Sequence, residues 1–226
     1  MTGYFRTVAA LVGKDLLLEW RGRETLTSMA LFSVLLVVVF GFAFQAQAID
    51  PGSQAPGLLW IAFTFSGVLG LHRTMAVERE NGCLKALLLA PIERSAIFLA
   101  KFIVNVILLA VMEIVTVPLF SILLRVSVLP CLPELALIAF AGTVGFASVG
   151  TLLSTISSGS RLREVLLPIL LYPLWVPIVV ASVELTGYAL TGRPMWEGTD
   201  WWTLIVVYDV VFLAAGTLLF DVMLEE

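Results

Sequence analysis

The chain is 226 residues long, 60% hydrophobic and 13% charged, with a net charge of −4 and a mean hydropathy of +1.03. A soluble globular surface needs more charge than this, so the composition argues for an integral membrane protein. There is no basic stripe and no reader motif, which sets nucleic acid aside as a partner.

Residues 4–22 predict an amphipathic helix lying along the inner leaflet. Phe5, Val8, Ala9, Val12 and Leu16 share one face, with Arg6, Thr7 and Lys14 on the other. Trp20 and Arg21 suit the headgroup boundary. The N-terminus lacks the short apolar core and cleavage site of a signal peptide, so the first long apolar run is expected to stay in the mature protein. Six segments are then long enough to cross a bilayer, at about 20 residues per span. They run approximately Leu26 to Gln45, Gly57 to Val77, Ser95 to Arg125, Glu134 to Ile156, Val165 to Tyr188 and Trp201 to Phe220. The third is long enough to require tilt or projection beyond the membrane. The expected fold is all-α and polytopic, with residues 1–226 forming one transmembrane domain.

Two spans carry a packing signature. In the fourth, Ala139, Thr143, Ala147 and Thr151 recur at steps of four, a stripe of small residues that permits close helix approach. In the fifth, Pro168, Pro173 and Pro177 each remove a backbone donor and favour kinks.

Between spans two and three lies Glu78 to Pro91, reading ERENGCLKALLLAP. It is too short and polar to cross. Leu84, Leu87, Leu88 and Pro91 fall on one helical face, and Gly82 stands where the preceding helix would break. Basic residues set the orientation. With a cytoplasmic N-terminus, Arg6, Lys14, Arg21, Arg23, Arg73, Arg79, Lys85, Arg94, Lys101, Arg161 and Arg163 are inside, and only Arg125 and Arg193 are outside. Both termini and the 78–91 segment are then cytoplasmic. Cys83 and Cys131 fall on opposite sides, which excludes a disulfide between them.

No P-loop, zinc-protease, nucleophile-elbow or dinucleotide motif occurs, so no catalytic residue and no metal site is assigned. Any ATP used must be bound by another chain. Glu113 and Asp209 fall within spans three and six, and an intramembrane carboxylate is a functional candidate by default. Two readings stand side by side. Each carboxyl is neutral or bonded to a polar neighbour such as Asn105 or Tyr208, or the two line a polar route between spans. His72 and Arg73 end span two near the inner surface. His72 reads as an interfacial polar residue, with haem ligation or pH sensing as the alternative. Trp196, Trp201 and Trp202 read as an outer aromatic belt, with a shelf for a flat ligand such as haem as the alternative.

An interfacial helix, six spans and a cytoplasmic helix between spans two and three resemble an ABC-2-type transporter permease. The stretch RTMAVERENGCLKALLLAPIERSAIFLAKF is similar to the CcmB family, the haem exporter protein B permeases of cytochrome c maturation. The features that carry the likeness are Arg73, Glu78, Gly82, Leu84, Leu87 to Pro91 and Lys101. GLLWIAFTFSGVLGLHR and LPILLYPLWVPI also fit. Lys85 departs from the pattern, which has an acid there.

The resemblance implies a non-catalytic permease in a bacterial or archaeal cytoplasmic (inner) membrane. Its partners would be a CcmA-like ABC ATPase that binds ATP, a second copy of itself, a CcmC-like haem-handling membrane protein and a CcmE-like haem chaperone. Haem is the implied candidate substrate. The 78–91 coupling helix would bind the ATPase through Leu84, Leu87, Leu88 and Pro91. Glu78, Arg79, Glu80, Asn81, Gly82 and Lys85 would lie beside them. Two other readings share some of these features: a general ABC-2 exporter of lipid, drug or polysaccharide, and a non-transporting membrane scaffold.

Overall fold

The computed structural model describes residues 2–46, 51–80, 93–157 and 163–223. Seven long helices account for nearly all of them: α1 (Thr2–Gly22), α2 (Glu24–Ala46), α3 (Pro51–Glu80), α4 (Arg94–Leu124), α5 (Leu132–Ser157), α6 (Arg163–Leu190) and α7 (Thr199–Met223). Short 3₁₀ turns, Leu129–Cys131 and Met195–Gly198, precede α5 and α7. Six helices are long and apolar enough to cross a membrane, over Glu24–Phe44, Ser53–Leu71, Arg94–Leu124, Leu129–Ser154, Ile169–Leu190 and Met195–Leu219.

The helices are held by their own backbone, as a hydrocarbon setting requires. Hydroxyls that would otherwise be orphaned bond back one turn. Thr64 donates to Trp60 O, Thr116 to Met112 O, Thr186 to Ser182 O and Thr203 to Thr199 O, at 2.6–2.8 Å. α6 remains helical through Pro168, Pro173 and Pro177. In the turn between the last two prolines, the Tyr208 hydroxyl of α7 donates to the Leu174 carbonyl at 2.8 Å. A neighbouring helix thus supplies a donor beside the proline-bearing stretch.

α5 is the centre of the bundle and packs against α3, α4, α6 and α7. Its second half is built from small residues, and Gly142, Thr143 and everything from Gly145 to Ser154 are buried. Large side chains from neighbours fill the space they leave. The Trp60 ring lies over Gly142 and Leu71 over Gly150, and Trp175 stacks on Phe146. Two indole N–H groups are satisfied across helices, Trp60 to Thr186 Oγ1 at 2.9 Å and Trp175 to the Phe146 carbonyl at 3.3 Å. By contrast α2 and α7 are mostly exposed along rows of apolar side chains such as Leu31, Leu35, Val39, Val206 and Val210, as suits lipid contact.

α1 is fixed at both ends. Arg23 stands in the left-handed region at φ 54° between α1 and α2. The Glu19 carboxylate accepts from the Leu26 amide at 2.9 Å, capping the first turn of α2. Further back, Val8 packs with Ala96 and Ala100 of α4, flanked by Tyr4, Leu11 and Val12. Lys101 Nζ donates to Asp15 Oδ2 at 2.6 Å, and both side chains are buried.

Two details were not legible in the sequence. The face of α1 expected to be apolar as a unit is divided, with Val8 buried and Phe5 exposed. Lys101, counted as a cytoplasmic charge, lies at 3% exposure under α1. Residues 4, 8, 11 and 15 form the docked face because α4 offers two alanines and a cation there. Phe5, Leu17 and Trp20 remain exposed on the side away from it.

Removing one partner of an isolated buried pair costs about 3–5 kcal/mol. Asp15 also meets the half-exposed Lys14 at 3.1 Å, which lowers the cost expected here to about 1–3 kcal/mol. Lys101→Met is expected to lower thermal stability in detergent by that order. The double substitution Asp15→Leu, Lys101→Met is expected to recover most of the loss. A double variant no more stable than the single would refute the pairing.

Candidate functional site

α4 carries a line of buried polar side chains over about four turns in its middle: Lys101, Asn105, Glu113 and Thr116. Each bonds a different stretch of a neighbouring helix. Lys101 meets Asp15 of α1, and Asn105 Nδ2 donates to Thr151 Oγ1 of α5 at 2.8 Å. The Thr143 hydroxyl of α5 donates to Glu113 Oε1, and Thr116 shares a 2.9 Å bond with Ser33 of α2. Eight residues forward on α4, from Asn105 to Glu113, match eight back on α5, from Thr151 to Thr143. The two bonds are therefore rungs of one antiparallel seam, about 12 Å apart at 1.5 Å per residue.

Glu113 is 8% exposed, and its partner is Thr143 rather than the expected Asn105 or Tyr208. The reason is register, because Thr143 lies directly across the helix pair. Asp209 is differently placed. Its Oδ1 is enclosed and lacks a hydrogen-bond partner among the described residues. It sits against Gly145 of α5, where a Cβ would collide with it and with Ile178. Thr143 and Gly145 project about 200° apart on a helix. The two carboxyls thus approach α5 from opposite sides and do not share a lining. The Tyr208 hydroxyl is spent on Leu174 O, so it does not satisfy its sequence neighbour.

The tryptophans of the outer loop separate as well. Trp196 is 78% exposed, whereas Trp201 and Trp202 are half-buried and pack on the core. His72, Arg73, Glu78, Arg79 and Glu80 lie in the last turns of α3, which runs past the expected end of span two at Val77. Asn81 to Pro91, with Gly82, Cys83, Leu84, Lys85, Leu87 and Leu88, lies outside the described residues. α4 begins at Arg94, shortly beyond that segment.

Sequence reasoning missed Asp15, Ser33, Thr116, Thr151 and Trp60 as bonded groups. One signal was present. Lys101, Asn105 and Glu113 recur at multiples of four along α4, as the small-residue stripe does along α5. Two ridges of the same period can interlock.

Buried intramembrane polar groups satisfied between helices, around a core of small residues, define a multi-pass α-helical membrane protein. The chain matches the sequence model described as CcmB protein over residues 6–222. It is 30% identical over 183 residues to heme exporter protein B of Rhodobacter capsulatus, covering 81% of this chain and 84% of that one. It is 27% identical over 210 residues to heme exporter protein B of Paracoccus denitrificans, covering 92% and 90%. To that of Pseudomonas aeruginosa it is 23% identical over 184 residues, covering 81% and 82%. The chain belongs to the CcmB family.

The seam makes a separable prediction. Glu113→Gln keeps a carbonyl that accepts from Thr143 and is expected to insert and fold within about 1 kcal/mol of the parent. Thr143→Val leaves a buried carboxyl without its donor and is expected to cost about 1–3 kcal/mol in thermal unfolding. In a Glu113→Leu background the same change is expected to cost under about 1 kcal/mol. Equal losses in both backgrounds would show that the bond contributes nothing.

Proposed function

We propose that this chain is the permease subunit of an ABC transporter complex for cytochrome c biogenesis. The observation that carries the reading is the CcmB match over residues 6–222, with relatives named heme exporter protein B aligned along most of their length. The six apolar helices and the lack of a nucleotide motif in the chain support it.

In this reading ATP is hydrolysed by a separate ATPase subunit, and the output is haem delivery or release of a haem-loaded chaperone. Two copies of the chain pair with two ATPases. The segment Glu78 to Pro91 is the coupling helix. Leu84, Leu87 and Leu88 enter a groove on the ATPase, Glu78, Arg79 and Glu80 form the polar rim, and Asn81, Gly82, Lys85 and Pro91 complete the helix. Both termini face the cytoplasm, and α1 lies along the inner leaflet with Phe5, Leu17 and Trp20 in lipid.

A push on the coupling segment would reach α3 and α4, the helices that flank it in the chain. From α4 it would pass to α1 through Asp15 and to α5 through the seam. Glu113 and Asn105 would then carry motion rather than substrate, and Asp209 is the remaining intramembrane candidate for a polar route.

The test is affinity purification of the chain from native membranes, with mass spectrometry of what accompanies it. Recovery of an ATPase with a haem-handling membrane protein and a haem chaperone is the expected result. An ATPase alone would leave a general exporter, and no ATPase would overturn the reading. Leu87→Asp is expected to abolish ATPase recovery while leaving membrane insertion intact. Full retention of the ATPase by that variant would remove the coupling role from the segment.

A further inference from the structure

At the end of the bundle opposite α1, a cleft of about 530 Å³ opens between the first turns of α3 and the last turns of α6. Its volume is that of a small-molecule site, roughly 300–1,000 Å³. Gln54 and Pro56 line one wall, and Val183, Glu184, Tyr188 and Arg193 the other. The apolar stretch of α6 runs to Leu190 and that of α3 begins at Ser53. The cleft therefore sits where hydrocarbon gives way to headgroups.

Two opposite charges line it. The Arg193 guanidinium lies over the Tyr188 ring, 5.3 Å from its centroid, and the Arg193 amide donates to the Tyr188 carbonyl at 2.9 Å. Gly192, at φ 69°, makes the turn that brings Arg193 back over α6. Glu184 is exposed on the same wall, and no ion pair joins it to Arg193 among the described residues. Each charge therefore remains available to a ligand.

The surroundings select the kind of ligand. Among the described residues this end carries Glu134, Glu184, Glu197 and Asp200 against Arg125 and Arg193. A net anion would meet repulsion there, whereas a zwitterion brings its own cation. One face of Tyr188 is taken by Arg193, which leaves no aromatic cage for a quaternary ammonium. A primary ammonium can donate hydrogen bonds to the Glu184 carboxylate.

We propose that this cleft binds the headgroup of a zwitterionic aminophospholipid of the phosphatidylethanolamine type. The phosphate meets Arg193, the ammonium meets Glu184, and the acyl chains run down past Val183 and Pro56. The proposal is independent of the ATPase and of haem.

The full chain would be placed in lipid nanodiscs of defined phosphatidylethanolamine, phosphatidylcholine and phosphatidylglycerol content. Lipid retained on the protein would be read by native mass spectrometry. Phosphatidylethanolamine is expected to be retained about tenfold above its bulk share, the ratio given by one charge-assisted contact. Arg193→Met and Glu184→Gln are each expected to remove that excess, and Arg125→Ala, at the same end but outside the cleft, to keep it. Equal or better retention of phosphatidylglycerol, which signals a simple anion site, would overturn the proposal. So would an excess that survives both substitutions, which signals annular lipid only. Should either variant fail to fold, the unaltered chain decides. Its melting temperature is expected to rise with phosphatidylethanolamine content and not with phosphatidylglycerol, and the absence of that difference would also overturn the proposal.

Discussion

The antiparallel seam between α4 and α5 is the constraint on which the other contacts depend. Inside a bilayer no water satisfies a carboxyl or an amide, so such groups must find one another. Asn105 with Thr151 and Glu113 with Thr143 do so at one register only. Sliding α5 by a turn would take Thr151 from Asn105 and Thr143 from Glu113 at once. Each bond contributes little by itself, about 0.6 kcal/mol on average for an interhelical bond in a membrane. Their worth lies in the cost of every other alignment.

Once α4 and α5 are aligned, the remaining helices have places to go. The small residues of α5 let α3, α6 and α7 approach its backbone, and their aromatic rings fill the gaps. Thr116 and Ser33 bring in α2, and Lys101 with Asp15 brings in α1. α4 is thus bonded to three helices through side chains of a single face. A motion imposed at its start would be shared by α1, α2 and α5, since hydrogen-bonded and close-packed contacts do not stretch.

The carboxyls show why burial alone does not define a site. Glu113 and Asp209 read alike in the sequence, as single acids within apolar spans. Glu113 is enclosed by α5 and bonded there. Asp209 has an enclosed oxygen with no partner among the described residues, pressed against a glycine that alone leaves room for it. One acid is a helix clamp, and the other is an enclosed acid set against the α5 backbone at Gly145.

The sequence by itself determined the fold class and the sites of the spans. Both are one-dimensional consequences of hydrophobic length and of the absence of water. It also carried the family, through the residues around Glu78 to Lys101. It showed that Ala139, Thr143, Ala147 and Thr151 form a stripe, because a period of four is visible along one chain. What it did not contain was the partner of any intramembrane polar group. Asp15 and Lys101 are 86 positions apart, and Trp60 and Thr186 are 126 apart. Such pairs are set by which helices become neighbours and at what register, and every apolar helix looks equally willing to pack. Only the tertiary structure decided that Thr143 answers Glu113, that Lys101 is buried under α1, and that Arg193 and Glu184 share a cleft. The physical reason is that hydrophobic transfer places helices in the membrane, while only shape and hydrogen bonding choose among their arrangements once there.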